Sequence, residues 1–512
     1  MEKNLKIGIL KILAISALVT FSIQSFSDNK ADVDLWGNTG FVKAMPWAPE
    51  FHRENTFSFT DPHHSWINHE WFAEYIFNKV HNTWGNTGLL GVKLLLGLMI
   101  IALLANQVTK NCTTPILQFL FLALTISTMG YGFSIRPHLF TYLMLVLFLT
   151  LLKNHANKQP ALLLLLPILG VIWTNLHGAF FIGIILLTVY VFSEYAKLLY
   201  NGRFNHQKSF ALLLPSTCFL LIAVSLINPY GLQLWNFIID SAVTPRTYLS
   251  EWAPFNPISG FWDHSDFMAL SVLTLGSFFF SHRKKDPTWI CILIMAFLSA
   301  IVLRRNIPVF AIVACYVVPE HIEDAFASRT RRLISILPKP LLITLLSFLI
   351  ACSAWFTIKV NKINPLEIEV PQERYPVSIV SFIQQNNIKG NMFVFFDWAE
   401  YCIWKLYPDC RVFLDGRFTD AYRKETVTDY LNLLYTRKGW ENTLQKYPID
   451  IILIHKNNPS AKAISDLKEW KLLCESDVAT LFLRENIYSN IAGKIPGEKP
   501  LRLERASSSF FP

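Results

Sequence analysis

Between residues 7 and 360 long uncharged apolar runs alternate with short basic ones, and this pattern leaves few folds open. Inside hydrocarbon, every backbone N–H and C=O has to be satisfied within its own segment, so an apolar run of about 20 residues reads as a membrane-crossing helix. Eleven runs are present, at 7–26, 89–106, 115–132, 139–152, 161–173, 179–198, 210–227, 267–281, 288–303, 308–318 and 341–358. Several are shorter than a full span, so their flanks must add turns or the helices end inside the bundle. The chain is 52% hydrophobic and only 16% charged, against about 25% charged in a soluble domain. The expected fold class is therefore an all-α membrane bundle of about 11 helices, followed by a C-terminal α/β domain.

The basic residues set the orientation. With a cytoplasmic N-terminus, the short inner loops and their edges hold Lys3, Lys6, Lys110, Lys153, Lys158, Lys197, Arg203, Lys208, Arg283, Lys284, Lys285, Arg329, Arg331, Arg332 and Lys339. The short outer loops hold only Arg136, Arg246, Arg304 and Arg305, giving fifteen inside against four outside, as the positive-inside rule expects. The net charge of +9 then belongs to topology, and no nucleic-acid motif accompanies it. This orientation describes a bacterial inner-membrane protein whose outer loops, 27–88 and 228–266, share the periplasmic side with everything after residue 358.

From about residue 364 the pattern turns soluble-like. Runs at 392–396, 411–414, 449–454 and 479–483 read as strands, and those at 377–385, 419–434, 440–446 and 461–470 as helices. Alternating strands and helices imply a layered α/β domain over 364–490, after a transmembrane domain over 1–363. The tail, 491–512, reads as loosely attached. The eight cysteines form no CxxC pair and no metal-type spacing.

The polar residues with chemical capacity lie in the outer segments. Asp32 and Asp34 follow the first helix, where an ionised carboxylate can take a proton from an acceptor hydroxyl; an Asp at such a place also serves as a helix cap. The loop continues through Phe57-Ser58-Phe59-Thr60-Asp61-Pro62 to His63, His64, Trp66, His69, Glu70, Trp71 and Glu74. Its aromatics suit an interfacial belt or a sugar platform; its His/Glu group offers donors for a divalent cation, a candidate cofactor, but no HExxH is present and the His63/His64/His69/Glu70 spacing fits no strong ligand rule. Arginines at an outer face run against the topology rule and need another reason. A lipid-linked phosphate supplies one, since guanidinium matches phosphate oxygens bidentately; pairing with loop carboxylates and snorkelling supply others. His138 and His177 lie at outer helix ends, and Glu251 offers a second-loop carboxylate. Asp415-Gly416-Arg417 reads as a turn with a local ion pair.

Taken together, Asp-Leu-Trp at 34–36, the Phe-Ser-Phe-Thr-Asp-Pro run, His-Glu-Trp at 69–71, Arg-Pro-His at 136–138, Trp-Thr-Asn-Leu-His-Gly at 173–178, Asn-Pro-Tyr-Gly at 228–231, Glu-Trp at 251–252, Arg-Arg-Asn at 304–306, Tyr375-Pro376 and Phe413 to Arg417 resemble a group of bacterial membrane proteins. That group looks related to the GT-C superfamily of polytopic glycosyltransferases, which includes protein mannosyltransferases and aminoarabinose transferases. The resemblance implies a polyprenyl-phosphate-linked sugar donor, an outer-face site and a catalytic carboxylate in the first outer loop. Asp34 matches that carboxylate by position, with Asp32 as its substitute. The chain departs from the mannosyltransferase form, which has an Asp-Glu pair, and carries Trp36-Gly37-Asn38 where relatives have Trp-Trp-His.

The function expected is transfer of a sugar from a polyprenyl-phosphate donor to a glycan, lipid or protein acceptor. Asp34, Asp32 and Glu70 are the catalytic candidates. His69, Arg136, His138, His177, Arg246, Glu251, Arg304 and Arg305 are the substrate-binding ones. The alternatives are a non-enzymatic envelope assembly scaffold and, behind it, a transporter, which would place ionisable residues at mid-membrane depth in two related halves.

Overall fold

The structure is a computed structural model that describes residues 2–44, 54–155, 160–200, 208–243, 250–336, 338–360, 366–492, 500–505 and 510–511. All eleven apolar runs are helical, in Glu2–Phe26, Trp71–Asn111, Pro115–Gly130, His138–His155, Leu165–Leu176, Phe181–Tyr200, Lys208–Val224, Ser265–Phe280, Pro287–Val302, Ile307–Val317 and Lys339–Val360. Three stretches, Trp71–Asn111, Gly178–Tyr200 and Lys339–Lys359, are long and apolar enough to cross a membrane. The chain folds as two compact units, one of residues 1–28, 90–232 and 242–365, the other of residues 29–89, 233–241 and 366–512.

The first unit is helical. Its centre is the Ile307–Val317 helix, whose residues are all buried. At 1.5 Å per residue, eleven residues rise only about 16 Å, so this helix is satisfied by protein on every side. It packs against Pro287–Val302, Pro115–Gly130 and His138–His155. The Tyr316 hydroxyl finds its partner within that core, donating to the Val146 carbonyl at 2.8 Å. Glu2–Phe26 packs along Lys339–Val360, and the Phe26 and Phe133 rings stack at 3.8 Å.

One helix of this unit has no counterpart among the apolar runs. Pro319–Ile336 carries Glu320, Glu323, Asp324, Arg329, Arg331 and Arg332, and its acids cap the ends of other helices. Glu323 accepts from the Thr113 and Thr114 amides at 3.1 and 2.9 Å and from both hydroxyls, satisfying orphan donors where Pro115–Gly130 begins. Asp324 accepts from the amides of His282 and Arg283 at 2.7 and 3.2 Å. Burial would push the Glu323 carboxyl up, but these hydrogen bonds override it and hold it at about 2.

The second unit contains a six-stranded sheet. In chain order the strands are β1 (Gly390–Val394), β2 (Cys410–Val412), β3 (Ile451–His455), β4 (Trp470–Glu475), β5 (Ala479–Arg484) and β6 (Leu501–Arg502). They lie in the order β2-β1-β3-β5-β4-β6. β1 runs parallel to β2 and β3, β5 is antiparallel to β3 and β4, and β6 is parallel to β4. β3 is buried at Ile451, Ile452, Leu453 and Ile454, as a strand covered on both faces requires. The helix expected at 461–470 ends at Ser465. Trp470 instead starts β4, because a short turn lets residues 470–475 fold back antiparallel on β5.

Two further segments belong to this unit. Residues of the 29–89 segment form the Leu35–Ala44 helix and the start of Trp71–Asn111, whose helical path is interrupted at Gly85 (φ 58°). In the tail, Leu501–Arg502 pairs with β4, and Phe511 is 2% exposed against Trp36 and Trp404, at 4.8 and 5.0 Å. Those residues are built in, not loose, because a buried aromatic ring outweighs the entropy of ordering so short a strand.

Glu323→Ala is expected to destabilise the helical unit by about 2 kcal/mol, the usual worth of hydrogen bonds to a charged group. The loss is read as earlier thermal unfolding at neutral pH. Because the folded Glu323 carboxyl titrates low, its stabilisation is present above its unfolded value and lost as the pH falls through about 2, so the mutant and wild type converge there. Identical unfolding at neutral pH would remove Glu323 as a cap.

Candidate functional site

In the mixed unit the segment 54–70 is organised around one buried guanidinium. Arg417 donates to both oxygens of Asp415, Nε at 2.9 Å and Nη2 at 2.7 Å, and Nη2 reaches Asn55 Oδ1 at 2.8 Å. Tyr422 adds its hydroxyl to Asp415 at 2.6 Å. The rings of Trp66, Phe41 and Phe57 surround the guanidinium at 4.5, 4.7 and 5.2 Å. A flat delocalised cation is suited to this cage, where an ammonium would lose more hydration. The local ion pair expected from Asp415-Gly416-Arg417 is present, but its surroundings come from residues about 360 positions away.

The Phe-Ser-Phe-Thr-Asp-Pro segment lies along the edge of the sheet. Ser58 bridges to Val412 in β2, and Thr60 donates to the Phe413 carbonyl at 2.7 Å. Asp61, 1% exposed, accepts from the Arg423 amide and Nε at 3.0 and 2.8 Å. Burial alone would raise its carboxyl, but hydrogen bonds from Thr426 and Arg423 bring it below the usual range.

Asp32 and Asp34 form the turn that starts the Leu35–Ala44 helix. The Asp34 amide donates to Asp32 Oδ1 at 3.1 Å, and the Asn38 amide to the Asp34 carbonyl at 2.9 Å. Asp34 is thus a cap residue by its backbone, and its side chain is half-buried. Glu400, on the Ala399–Leu406 helix, closes the same turn by accepting from the Gly37 amide at 2.9 Å. Burial, then the charges of Asp34 and Asp415, push the Glu400 carboxyl well above the ordinary range. Sequence reading passed over Glu400; its signal was a carboxylate within the apolar run Ala399, Tyr401, Cys402, Ile403.

Glu70 and His69 stand on the neighbouring turn. His69 Nε2 lies 3.5 Å from Glu70 Oε1, and its ring 4.9 Å from Phe237. Asn68 accepts from the Glu70 amide at 3.1 Å and donates to Glu74 Oε2 at 2.6 Å. Glu74 precedes the apolar stretch that begins at 89 and is 3% exposed. Burial pushes its carboxyl up to about 8, Glu70 adding to the effect while Asn68 and Arg417 oppose it. His63 pairs with Glu54 at 2.6 Å on the surface. Among the described residues no group of three or more His, Cys, Asp or Glu gathers as a metal site.

The helical unit holds the remaining candidates. Arg136 Nη1 bonds Glu251 Oε2 at 3.0 Å, and the Arg305 guanidinium lies 4.6 Å over the Trp252 ring. The Arg304 amide donates to the Ala253 carbonyl at 3.2 Å, joining the Ser250–Trp252 and Arg304–Asn306 turns. The charges of Arg136, Glu251, Arg304 and Arg305 all act on Tyr131, a residue sequence reading had not singled out. His138 Nε2 is bound to the Gly132 carbonyl at 2.5 Å. His177, 5% exposed, bonds the Thr141 hydroxyl at 2.8 Å, which also accepts from Trp173 Nε1 at 2.9 Å. Both histidines therefore work as fixed polar contacts between helix ends. Arg246 lies outside the described residues.

The described residues form a unit of apolar helices and a second unit built on a mixed sheet, with three helical stretches long and apolar enough to cross a membrane. Among solved structures, the chain is similar to the archaeal oligosaccharyltransferase AglB from Archaeoglobus fulgidus, determined in complex with an inhibitory peptide and a dolichol-phosphate. The likeness covers 89% of this chain and 70% of that one, with a TM-score of 0.54 and 11% identity; at that identity it is a likeness of fold. No protein-family model and no curated protein matches the chain.

Glu74 makes the stability of the mixed unit pH-dependent. Its folded carboxyl titrates above the unfolded one, so stability is greatest below about 4.5 and falls as the pH rises to about 8, by a few kcal/mol at most. Glu74→Gln, which keeps the acceptor for Asn68, is expected to flatten this part of the slope in thermal unfolding of the detergent-solubilised chain. An unchanged slope would show that Glu74 is ionised in the folded protein.

Proposed function

We propose that the chain is a bacterial inner-membrane glycosyltransferase that moves a sugar from a polyprenyl-phosphate-linked donor to an envelope acceptor on the periplasmic face. The observation that carries this reading is the arginine cluster of the helical unit, in which Arg136 bonds Glu251, Arg305 lies over the Trp252 ring and the Arg304 amide bonds the Ala253 carbonyl, bringing all three to the 251–253 segment. Three guanidinium groups there are a poor fit to topology and a good one to a phosphate. The AglB-like fold supports the same reading.

In the reaction, the acceptor oxygen forms a bond to the anomeric carbon while the bond from that carbon to the phosphate oxygen breaks. The electron pair leaves with the lipid phosphate, whose charge Arg136, Arg304 and Arg305 stabilise, with Arg246 as a further candidate. Asp34 takes the acceptor proton. Asp32 holds the Asp34 amide, and Glu70 with His69 orients the acceptor.

Transfer from a polyprenyl-phospho-sugar by the purified chain is expected to fall by about 10² to 10⁴-fold in Asp34→Asn, the range for loss of a general base. Full activity in that variant would remove Asp34 from the chemistry. Should the wild type transfer no sugar while deletion of the sheet-bearing segment still abolishes its cellular role, the assembly-scaffold reading takes over.

The orientation is testable separately. A single cysteine replacing Arg305 is expected to react with a membrane-impermeant maleimide added outside intact spheroplasts, and one replacing Lys284 to stay protected. The reverse pattern would place the arginine cluster in the cytoplasm.

A further inference from the structure

Glu400 occupies a slot that three chain segments build. It projects from the Ala399–Leu406 helix, is 8% exposed, and bonds the third residue of the Leu35–Ala44 helix through the Gly37 amide. A Cβ on Gly37 would collide with Oε2, and one on Gly416 would collide with Oε1. Glycines distant in the chain thus make room for the two oxygens of one carboxyl, which implies a placed group and not an incidental burial. The charged and titratable groups facing it are Asp34 ahead of the Leu35–Ala44 helix, Asp415 and Arg417 on the segment after β2, and Tyr375.

We propose that Glu400 is a positioning residue for the base: seated between Gly37 and Gly416, it pins the first turn of the Leu35–Ala44 helix, and with it the Asp32–Asp34 turn. Burial, then the charges of Asp34 and Asp415, push the Glu400 carboxyl well above the ordinary range. A neutral Glu400 still accepts the Gly37 hydrogen bond through its carbonyl oxygen. Its assignment rests on the reading of Asp34 as base.

The test uses the full chain in nanodiscs, comparing Glu400→Gln, Glu400→Ala and Gly416→Ala. Gln is neutral, of the same shape, and keeps the acceptor; Ala removes it; a methyl at 416 displaces the native carboxyl without altering it. Amide hydrogen exchange across 35–44 is expected to quicken about tenfold or more in Glu400→Ala and Gly416→Ala and to stay near wild type in Glu400→Gln. Sugar transfer is expected to lose about 10²-fold in kcat in the first two, with little change in KM for the lipid donor, the mark of a displaced reacting group, and to be largely restored by Gln. Unchanged exchange at 35–44 in both disrupting variants would overturn the proposal. Failure of Gln to restore kcat despite native exchange would overturn it too, since it would make the acid itself necessary. If the wild type transfers no sugar, the glycosyl-transfer reading falls by itself, and the exchange pattern alone decides whether Glu400 pins the turn.

Discussion

The mixed unit depends on the burial of Arg417. A guanidinium removed from water costs several kcal/mol unless it is paired and hydrogen-bonded; its counter-charge here is local, and the rest of its surroundings come from residues far apart in the chain. Asp415 supplies the charge, Asn55 a further acceptor, and Phe41, Phe57 and Trp66 the faces that replace water. Phe41, Asn55, Phe57 and Trp66 thereby tie the segment that carries them to the Asp415–Arg417 pair. Arg417 also keeps its charge at all relevant pH, Asp415 and its hydrogen bonds outweighing the effect of burial. It therefore serves as a constant against which the carboxyls nearby, Glu74 and Glu400, are tuned.

Those carboxyls differ by surroundings, not by type. Asp61 meets strong donors and stays low, whereas Glu74 has a single amide donor and Glu400 has two acids beside it, so both rise. Burial and neighbours thus move side chains of one chemistry in opposite directions within a single unit.

Much of the helical architecture was legible in the sequence, because the signal is local: a lipid-facing helix must be apolar along its length, and all eleven runs proved helical. The Ile307–Val317 helix shows the limit of that rule, since an apolar run of eleven residues signals burial without saying in what. The amphipathic Pro319–Ile336 helix escaped notice because its acids are spent on capping partners about 40 to 210 residues away. In the sheet, β3 and β5 were visible as β-branched and apolar runs. β4 was not, since Trp470-Lys471-Leu472-Leu473-Cys474-Glu475 has neither clean alternation nor strong β-branching, and becomes a strand only by pairing with β5.

The candidate site divides along the same line. Asp32 and Asp34 stood out in the sequence as acids directly after an apolar run, and Arg136, Arg304 and Arg305 as cations set apart from the longer basic runs. Glu400 and the Arg417 cage carry no mark that a short window can detect, since their meaning lies in contacts spanning about 360 residues. Gly37 and Gly416 illustrate this well. Neither requires a backbone conformation reserved for glycine, so no turn pattern marks them. What they share is a carboxyl that leaves no space for a methyl on either side. A glycine whose local conformation gives no reason for it is therefore evidence about something distant, and here both point to the same acid and to the turn that carries Asp34.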